Sequence, residues 1–227
     1  MNDVFQKLKN GLIVSCQAEG NSPFNTPEGV TLFAQAAVQG GAAGIRSEGI
    51  EKTKMIIKSV KLPVIGLIKS SFDDGYVRIT GSFSDVENLL SIGATIIAID
   101  GTFRKRENLS GPDFIANVKQ RYNCIIMADI DGEQEALACV AAGADCVSTT
   151  LSGYTPETKN KDHYPDVQLL SALAKKLSVP VIAEGRINTP EMAAKMKSHG
   201  AWCVVVGSAI TRPTEITKWF VQSLKNS

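Results

Sequence analysis

The stretch Gly93-Ala94-Thr95-Ile96-Ile97-Ala98-Ile99-Asp100 holds the repeating unit of the chain. A Gly-Ala pair ends a helical pattern, an apolar run follows at once, and a carboxylate closes it. Glycine just past a helix takes the left-handed conformation at no steric cost. An apolar run of strand length without alternation reads as a strand buried on both faces, the habit of parallel sheets. The unit returns as Gly40-Gly41-Ala42-Ala43-Gly44-Ile45-Arg46, as Gly143-Ala144-Asp145-Cys146-Val147-Ser148-Thr149, and as Gly200-Ala201-Trp202-Cys203-Val204-Val205-Val206-Gly207. A second unit, Pro-Val-Ile, opens Pro63-Val64-Ile65-Gly66-Leu67-Ile68-Lys69 and Pro180-Val181-Ile182-Ala183-Glu184-Gly185-Arg186.

Two more strand patterns, over 12–17 and 124–129, bring the number to eight, starting near residues 12, 43, 63, 95, 124, 145, 180 and 202. Helical patterns fall between them, over 28–39, 51–59, 85–91, 113–121, 133–141, 166–176, 190–197 and 214–224. Pro190 and Pro213 suit helix starts, where their missing N–H is not needed. Strict strand–helix alternation predicts parallel strands with right-handed crossovers. Eight pairs predict a closed (β/α)8 TIM barrel as a single α/β domain over 1–227, and the length leaves no room for a second domain. An open doubly wound sheet is the alternative, but no GxGxxG follows the first strand. The stretch 70–84 contains Gly75-Tyr76-Val77-Arg78-Ile79-Thr80-Gly81, whose alternation predicts a small hairpin arm or lid.

The 227 residues are 44% hydrophobic and 21% charged, with 24 Lys+Arg against 23 Asp+Glu. That balance excludes a disordered tail and argues against a partner held by phosphate-backbone electrostatics, so no nucleic acid is expected. Aromatic residues are too scattered for a base-stacking platform. No apolar run approaches the roughly 20 residues of a membrane span. The N-terminus, read from Met1 to Leu8, lacks the charged start and apolar core of a signal peptide, so a cytoplasmic location is expected. The five cysteines (Cys16, Cys124, Cys139, Cys146 and Cys203) have no CxxC spacing and read as reduced, mostly buried thiols.

A barrel places its chemistry at the C-terminal ends of its strands. Those ends here are Ser15-Cys16-Gln17, Arg46, Lys69, Asp100, Asp129, Thr149-Thr150, Glu184-Gly185-Arg186 and Gly207-Ser208. Any one of them has a bland explanation, an ion pair or a helix cap. Polar side chains at every end of otherwise apolar strands predict a pocket for a polar small molecule. Counted by twos, Ile65, Leu67 and Lys69 share a face, as do Ile182 and Glu184. Strands three and seven lie opposite each other in an eight-strand barrel. Inward faces therefore predict a lysine and a carboxylate across the mouth, either as a spanning salt bridge or as two proton carriers.

The loops after strands seven and eight, where barrels often hold phosphate, contain Glu184-Gly185-Arg186 and Gly207-Ser208-Ala209-Ile210-Thr211-Arg212. Glycine allows close backbone approach, amides donate, and arginine adds charge, so Gly185, Arg186, Gly207 and Ser208 are candidate phosphate ligands. No metal site is expected. His163 and His199 are not at strand ends, Asp100, Asp129 and Asp131 lack a diagnostic spacing, and Asp131 suits a cap for the helix from Glu133.

Across nearly its whole length the chain also resembles the N-acetylmannosamine-6-phosphate 2-epimerases of bacterial sialic acid catabolism. The matching motifs include Gly11-Leu12-Ile13-Val14-Ser15-Cys16-Gln17-Ala18, Pro63-Val64-Ile65-Gly66-Leu67-Ile68-Lys69, Met127-Ala128-Asp129-Ile130, Ser148-Thr149-Thr150-Leu151-Ser152-Gly153-Tyr154-Thr155, Ala183-Glu184-Gly185-Arg186-Ile187-Asn188-Thr189-Pro190 and Ala209-Ile210-Thr211-Arg212-Pro213. The resemblance implies a cofactor-independent interconversion of N-acetylmannosamine 6-phosphate and N-acetylglucosamine 6-phosphate. It implies Lys69 and Glu184 as catalytic residues, substrate contacts from Gln17, Arg46, Asp129 and Arg212, and phosphate contacts around Gly185, Gly207 and Ser208. The chain departs from the family with Ser70-Ser71-Phe72 after the lysine, Pro23-Phe24 in the first loop, Gly101 where some members have alanine, and Ser208 where some have glycine. The chemistry admits one base or two. An aldolase using Lys69 as a Schiff base and a non-catalytic sugar-phosphate sensor are the alternatives. A pentose-phosphate epimerase would need histidine ligands at strand ends. A homodimer is expected because many barrels pair.

Overall fold

The eight apolar runs pair side by side around a complete ring in a computed structural model that describes residues 3–72, 74–159 and 164–225. The barrel strands are β1 (Leu12–Cys16), β2 (Gly44–Glu48), β3 (Val64–Leu67), β6 (Ile96–Asp100), β7 (Ile126–Asp129), β8 (Cys146–Ser148), β9 (Val181–Glu184) and β10 (Val204–Val206). All are parallel, and β1 closes the ring by pairing with both β2 and β10. Parallel strands need a crossover, and each gap supplies a helix. These are α2 (Pro27–Gln39), α3 (Ile50–Ser59), α4 (Phe83–Ser91), α5 (Gly111–Arg121), α6 (Glu133–Ala141), α7 (Val167–Lys176) and α8 (Pro190–Ser198), with α10 (Pro213–Lys225) after the last strand.

The helices start where side chains can serve the free N–H groups of a first turn. Thr26, Ser82, Ser110, Asp166 and Thr189 each accept from a backbone N–H of the helix they open. Ser82 and Asp85 form a reciprocal capping box. Most helix boundaries lie within two residues of the predicted ones, the N-cap being the least visible point of a periodic pattern.

Alternation along the strands decides what faces the axis. Ile13, Ile65, Leu67, Ile96, Ala98, Met127, Cys146, Ile182 and Val205 form one buried cluster, the barrel interior. Ile97, Ile99, Ala128, Val147, Val181 and Ala183 point outward into the layer under the helices. The inward faces proposed for the third and seventh strands are therefore correct. A helix that the sequence pattern did not announce, α1 (Asp3–Leu8), inserts Phe5 and Leu8 into the interior cluster and closes the N-terminal end. The Trp202 indole pins it by donating to the Phe5 carbonyl at 2.7 Å.

The stretch 70–84 holds most of an antiparallel hairpin, β4 (Lys69–Ser71) with β5 (Val77–Ile79), and then the first residues of α4. Asp73 lies outside the described residues. A four-residue helix, α9 (Ser208–Thr211), follows β10 directly. Helix α10 buries none of its described side chains, and Phe220 and Leu224 stand in solvent. Four of the five free thiols are buried and Cys124 is partly so. Among the described residues no helix is long and apolar enough to cross a membrane.

Candidate active site

The last inward residue of each strand cannot be apolar without sealing the mouth, and here that layer is polar. Ser15, Gln17, Arg46, Lys69, Thr150, Glu184, Gly207 and Arg212 border one cavity of about 840 Å³. Five basic side chains line it, Arg46, Lys69, Arg104, Arg186 and Arg212, against two carboxylates, Glu19 and Glu184. The excess of positive charge suits an anionic ligand.

Arg46 is the anchor. It is 1% exposed and stands inside the barrel. Its guanidinium forks onto Asp129 with Nη1–Oδ1 at 3.2 Å and Nη2–Oδ2 at 2.6 Å. The same Nη1 lies 3.2 Å from Glu184 Oε2. Burial alone would discourage the charge, but the charges of Asp129 and Glu184 outweigh it and hold Arg46 protonated. Asp129 is fully buried beneath Arg46 and does not reach the cavity wall.

Glu184 is clamped by one oxygen. Oε2 receives Arg46, the Thr150 hydroxyl at 3.0 Å and the Ser148 hydroxyl at 3.5 Å. The Thr150 hydroxyl also lies 2.7 Å from Asp129 Oδ1. It has one proton and two carboxylate neighbours, so it cannot donate to both. Burial and the nearby Asp129 charge push the Glu184 carboxyl above its usual range, against the opposing pull of Arg46, the Thr150 hydrogen bond and Lys69.

Lys69 enters from β4, two residues beyond the end of β3, and borders the same cavity as Glu184. The salt bridge foreseen across the mouth does not form. The Lys69 ammonium donates to Glu19 Oε1 instead. The reason is reach: Glu19 projects from the first loop beside Lys69, while Glu184 is held down by Arg46. The same Glu19 oxygen lies 3.3 Å from Arg212 Nη2.

At the rim after β9 and β10, Gly185 (φ 106°) and Arg186 (φ 57°) both take left-handed backbone, which only glycine adopts freely. Gly185, Gly207 and Ser208 line the cavity. Arg186 lines it as well, yet its guanidinium donates to the Ser152 carbonyl at 2.7 Å and the Tyr164 carbonyl at 2.8 Å. Its placement ties the loop after β8 to the loop after β9. Gln17 is buried and donates to Ser15 Oγ at 2.9 Å.

Two strand-end carboxylates behave differently from expectation. Asp100 does not reach the cavity. Arg104 at 2.7 Å, Arg106 at 3.1 Å and the Thr102 hydroxyl at 2.6 Å consume it. Asp131 does not cap α6, whose N-cap is Gly132 with no side-chain bond; its Oδ2 accepts from the Thr155 hydroxyl at 2.7 Å instead. His199 ends α8, with Nδ1 2.8 Å from the Lys195 carbonyl, and His163 lies outside the described residues. Sequence reasoning overlooked Glu19 and Arg104 as cavity residues. Their only signal was charge two to four residues past a strand end.

A barrel with a polar, cationic mouth and a glycine rim after its last two strands defines a barrel enzyme for a small anionic molecule. The chain belongs to the N-acetylmannosamine-6-phosphate epimerase family: the family model described as "Putative N-acetylmannosamine-6-phosphate epimerase" matches residues 30–226. A protein of Caldanaerobacter subterraneus subsp. tengcongensis described as "Putative N-acetylmannosamine-6-phosphate 2-epimerase" is 45% identical over 98% of this chain and 94% of its own length. A protein of the same description from Clostridioides difficile is 44% identical over 98% of this chain and 99% of its own. The solved N-acetylmannosamine-6-phosphate 2-epimerase of Clostridium perfringens superposes with a TM-score of 0.90 at 42% identity, over 96% of this chain and 95% of its own. A thiamine phosphate pyrophosphorylase from Pyrococcus furiosus, at 18% identity and a TM-score of 0.63 over 92% of this chain and 89% of its own, shares the fold alone.

Proposed function

We propose that this protein interconverts N-acetylmannosamine 6-phosphate and N-acetylglucosamine 6-phosphate by inverting C2, in the catabolism of sialic acid and related amino sugars. The observation that carries the reading is one cavity bordered by Lys69, by a clamped Glu184 of raised pKa and by the rim after β9 and β10. Family membership and the printed descriptions of the relatives support the substrate.

In the open-chain sugar the C2 hydrogen is α to the C1 aldehyde. Once its ammonium has given up a proton to solvent, the neutral Lys69 Nζ takes the C2 proton, and the C2–H electron pair enters a C1–C2 enolate. A proton returned from Glu184 to the opposite face completes the inversion, and the reverse reaction exchanges the two roles. No external oxidant, reductant or cofactor is required, because the carbon changes only its configuration. Arg46 and Gln17 hold the carbonyl and acetamido oxygens, and Asp129 acts through the Arg46 fork that it sets. Gly185, Gly207, Ser208 and Arg212 take the phosphate, with Arg186 steadying the rim. Binding the non-reacting end orients C2 between the two proton carriers.

The same reading makes the protein a homodimer, supported by the apolar face that α10 turns outward with Phe220 and Leu224. A cytoplasmic location follows from the substrate, which is a phosphorylated sugar.

The test is a proton NMR time course of N-acetylmannosamine 6-phosphate with purified protein in D2O. Appearance of N-acetylglucosamine 6-phosphate carrying deuterium at C2 is the expected result. Ligand binding with no exchange at C2 would replace the reading with a sensor. Borohydride trapping of a Lys69 adduct would replace it with an aldolase.

A further inference from the structure

One carboxylate in the mouth has no part in the proposed chemistry. Glu19 stands three residues beyond β1 and borders the cavity. A single oxygen, Oε1, accepts from the Lys69 ammonium and lies 3.3 Å from Arg212 Nη2. It therefore joins the proton carrier to the arginine assigned to the phosphate. Lys52, from α3, fixes the loop beneath it by donating to the Ala18 carbonyl at 3.3 Å and to Asn25 Oδ1 at 2.6 Å. The loop backbone is held, and the Glu19 side chain above it is 47% exposed. Burial works against its charge, but the Lys69 hydrogen bond and the charges of Lys69, Arg212 and Lys52 outweigh that and hold it below the usual carboxylate range. The balance favours its charged form.

We propose that Glu19 is a latch displaced by the substrate: it occupies Lys69 and Arg212 in the free protein and gives way when a phosphate takes Arg212. The inference rests on the reading above in assigning the phosphate to the Arg212 rim. A phosphate monoester carries a charge near −2 at neutral pH, greater than that of the carboxylate it meets. Both want the same guanidinium, whose planar fork favours a phosphate. Once Arg212 turns to the phosphate, Glu19 loses one of its two partners and faces a second anion. Its hold on Lys69 weakens at the moment the substrate needs the amine. The device keeps Lys69 occupied in an empty site and frees it in a filled one. Glu19 is thus a positioning residue, acting through Lys69 and Arg212.

The sign of the effect distinguishes a latch from a structural support. Removing a support weakens ligand binding, whereas removing a competing anion strengthens it. An ion pair as exposed as Glu19–Arg212 corresponds to a factor of about 1.5 to 5 in binding. Isothermal titration with inorganic phosphate should give a Kd about 1.5- to 5-fold lower for Glu19→Gln than for the unaltered protein. KM for the sugar phosphate should move the same way. Glu19→Ala, which deletes the carboxylate with its stem, should reproduce the gain. In an Arg212→Ala background Glu19→Gln should bring no gain. Unchanged or weaker phosphate binding in both Glu19 variants overturns the latch, and so does a gain that survives loss of Arg212. The C2 deuterium assay on the unaltered protein reads the epimerase assignment separately. Tighter phosphate binding without C2 exchange would keep the latch and retire the reaction.

Discussion

Replacing Arg46 by methionine tests the electrostatic design of the site directly. The guanidinium is 1% exposed and serves two carboxylates, Asp129 with two hydrogen bonds and Glu184 through a 3.2 Å contact. Methionine fills much of the volume but leaves Asp129, fully buried, beside Glu184 with no counter-charge. Breaking a buried pair by removing one partner costs about 3–5 kcal/mol, because the surviving charge stays out of water. In a domain of this size that is a fall in Tm of about 6–20 °C. Urea unfolding followed by circular dichroism at neutral pH measures the free energy, and the D2O assay measures C2 exchange, which should be lost. The double variant Arg46→Met, Asp129→Leu removes both charges of the fork and should recover most of the stability, but no activity. A cost below about 1 kcal/mol for Arg46→Met, the range of an exposed pair, would refute a buried ion-pair fork. A full additional penalty from Asp129→Leu, with no offset of the first, would do the same.

Three further outcomes follow from the same contacts. Lys69→Ala should abolish deuterium incorporation at C2 while inorganic phosphate still binds by titration, since Gly185, Gly207, Ser208 and Arg212 all remain in the cavity wall; retained exchange would remove Lys69 from the chemistry. Glu184 has a folded-state pKa above its ordinary 4.5, so between that value and the raised one the folded protein binds more protons than the unfolded chain. The stability of the unaltered protein should therefore decline relative to Glu184→Gln as pH rises from about 4.5, and parallel urea curves across that window would contradict the shift. Gly101→Ala should cost about 1–3 kcal/mol, because a Cβ there would lie 2.8 Å from Cys139 Sγ and 3.0 Å from Ile130 Cγ2, and Cys139→Ala in the same chain should return much of the loss in thermal melts.

The barrel was legible in the order of residues alone. Its strands are written locally, as apolar runs that start just after a Gly-Ala pair or a Pro-Val-Ile step, and buried parallel strands need no partner-specific code beyond being apolar on both faces. The strand-end rule then brought Gln17, Arg46, Lys69, Glu184 and Gly207 to one mouth, since the end of each strand is fixed by its own residues, and the loop after the last strand added Arg212. Helix α1 escaped because six residues with two buried side chains, Phe5 and Leu8, are too short to print a period. Which charges meet was fixed by the closure of the ring. Asp100 and Asp129 are paired across β6 and β7, yet one is consumed by Arg104 and Arg106 and the other by Arg46. Lys69 turned to Glu19, and Glu184 to Arg46. Nothing in the chain marks those choices, because a carboxylate pairs with whichever cation the closed ring brings within about 4 Å, and that distance is set by strand register and loop reach across the barrel.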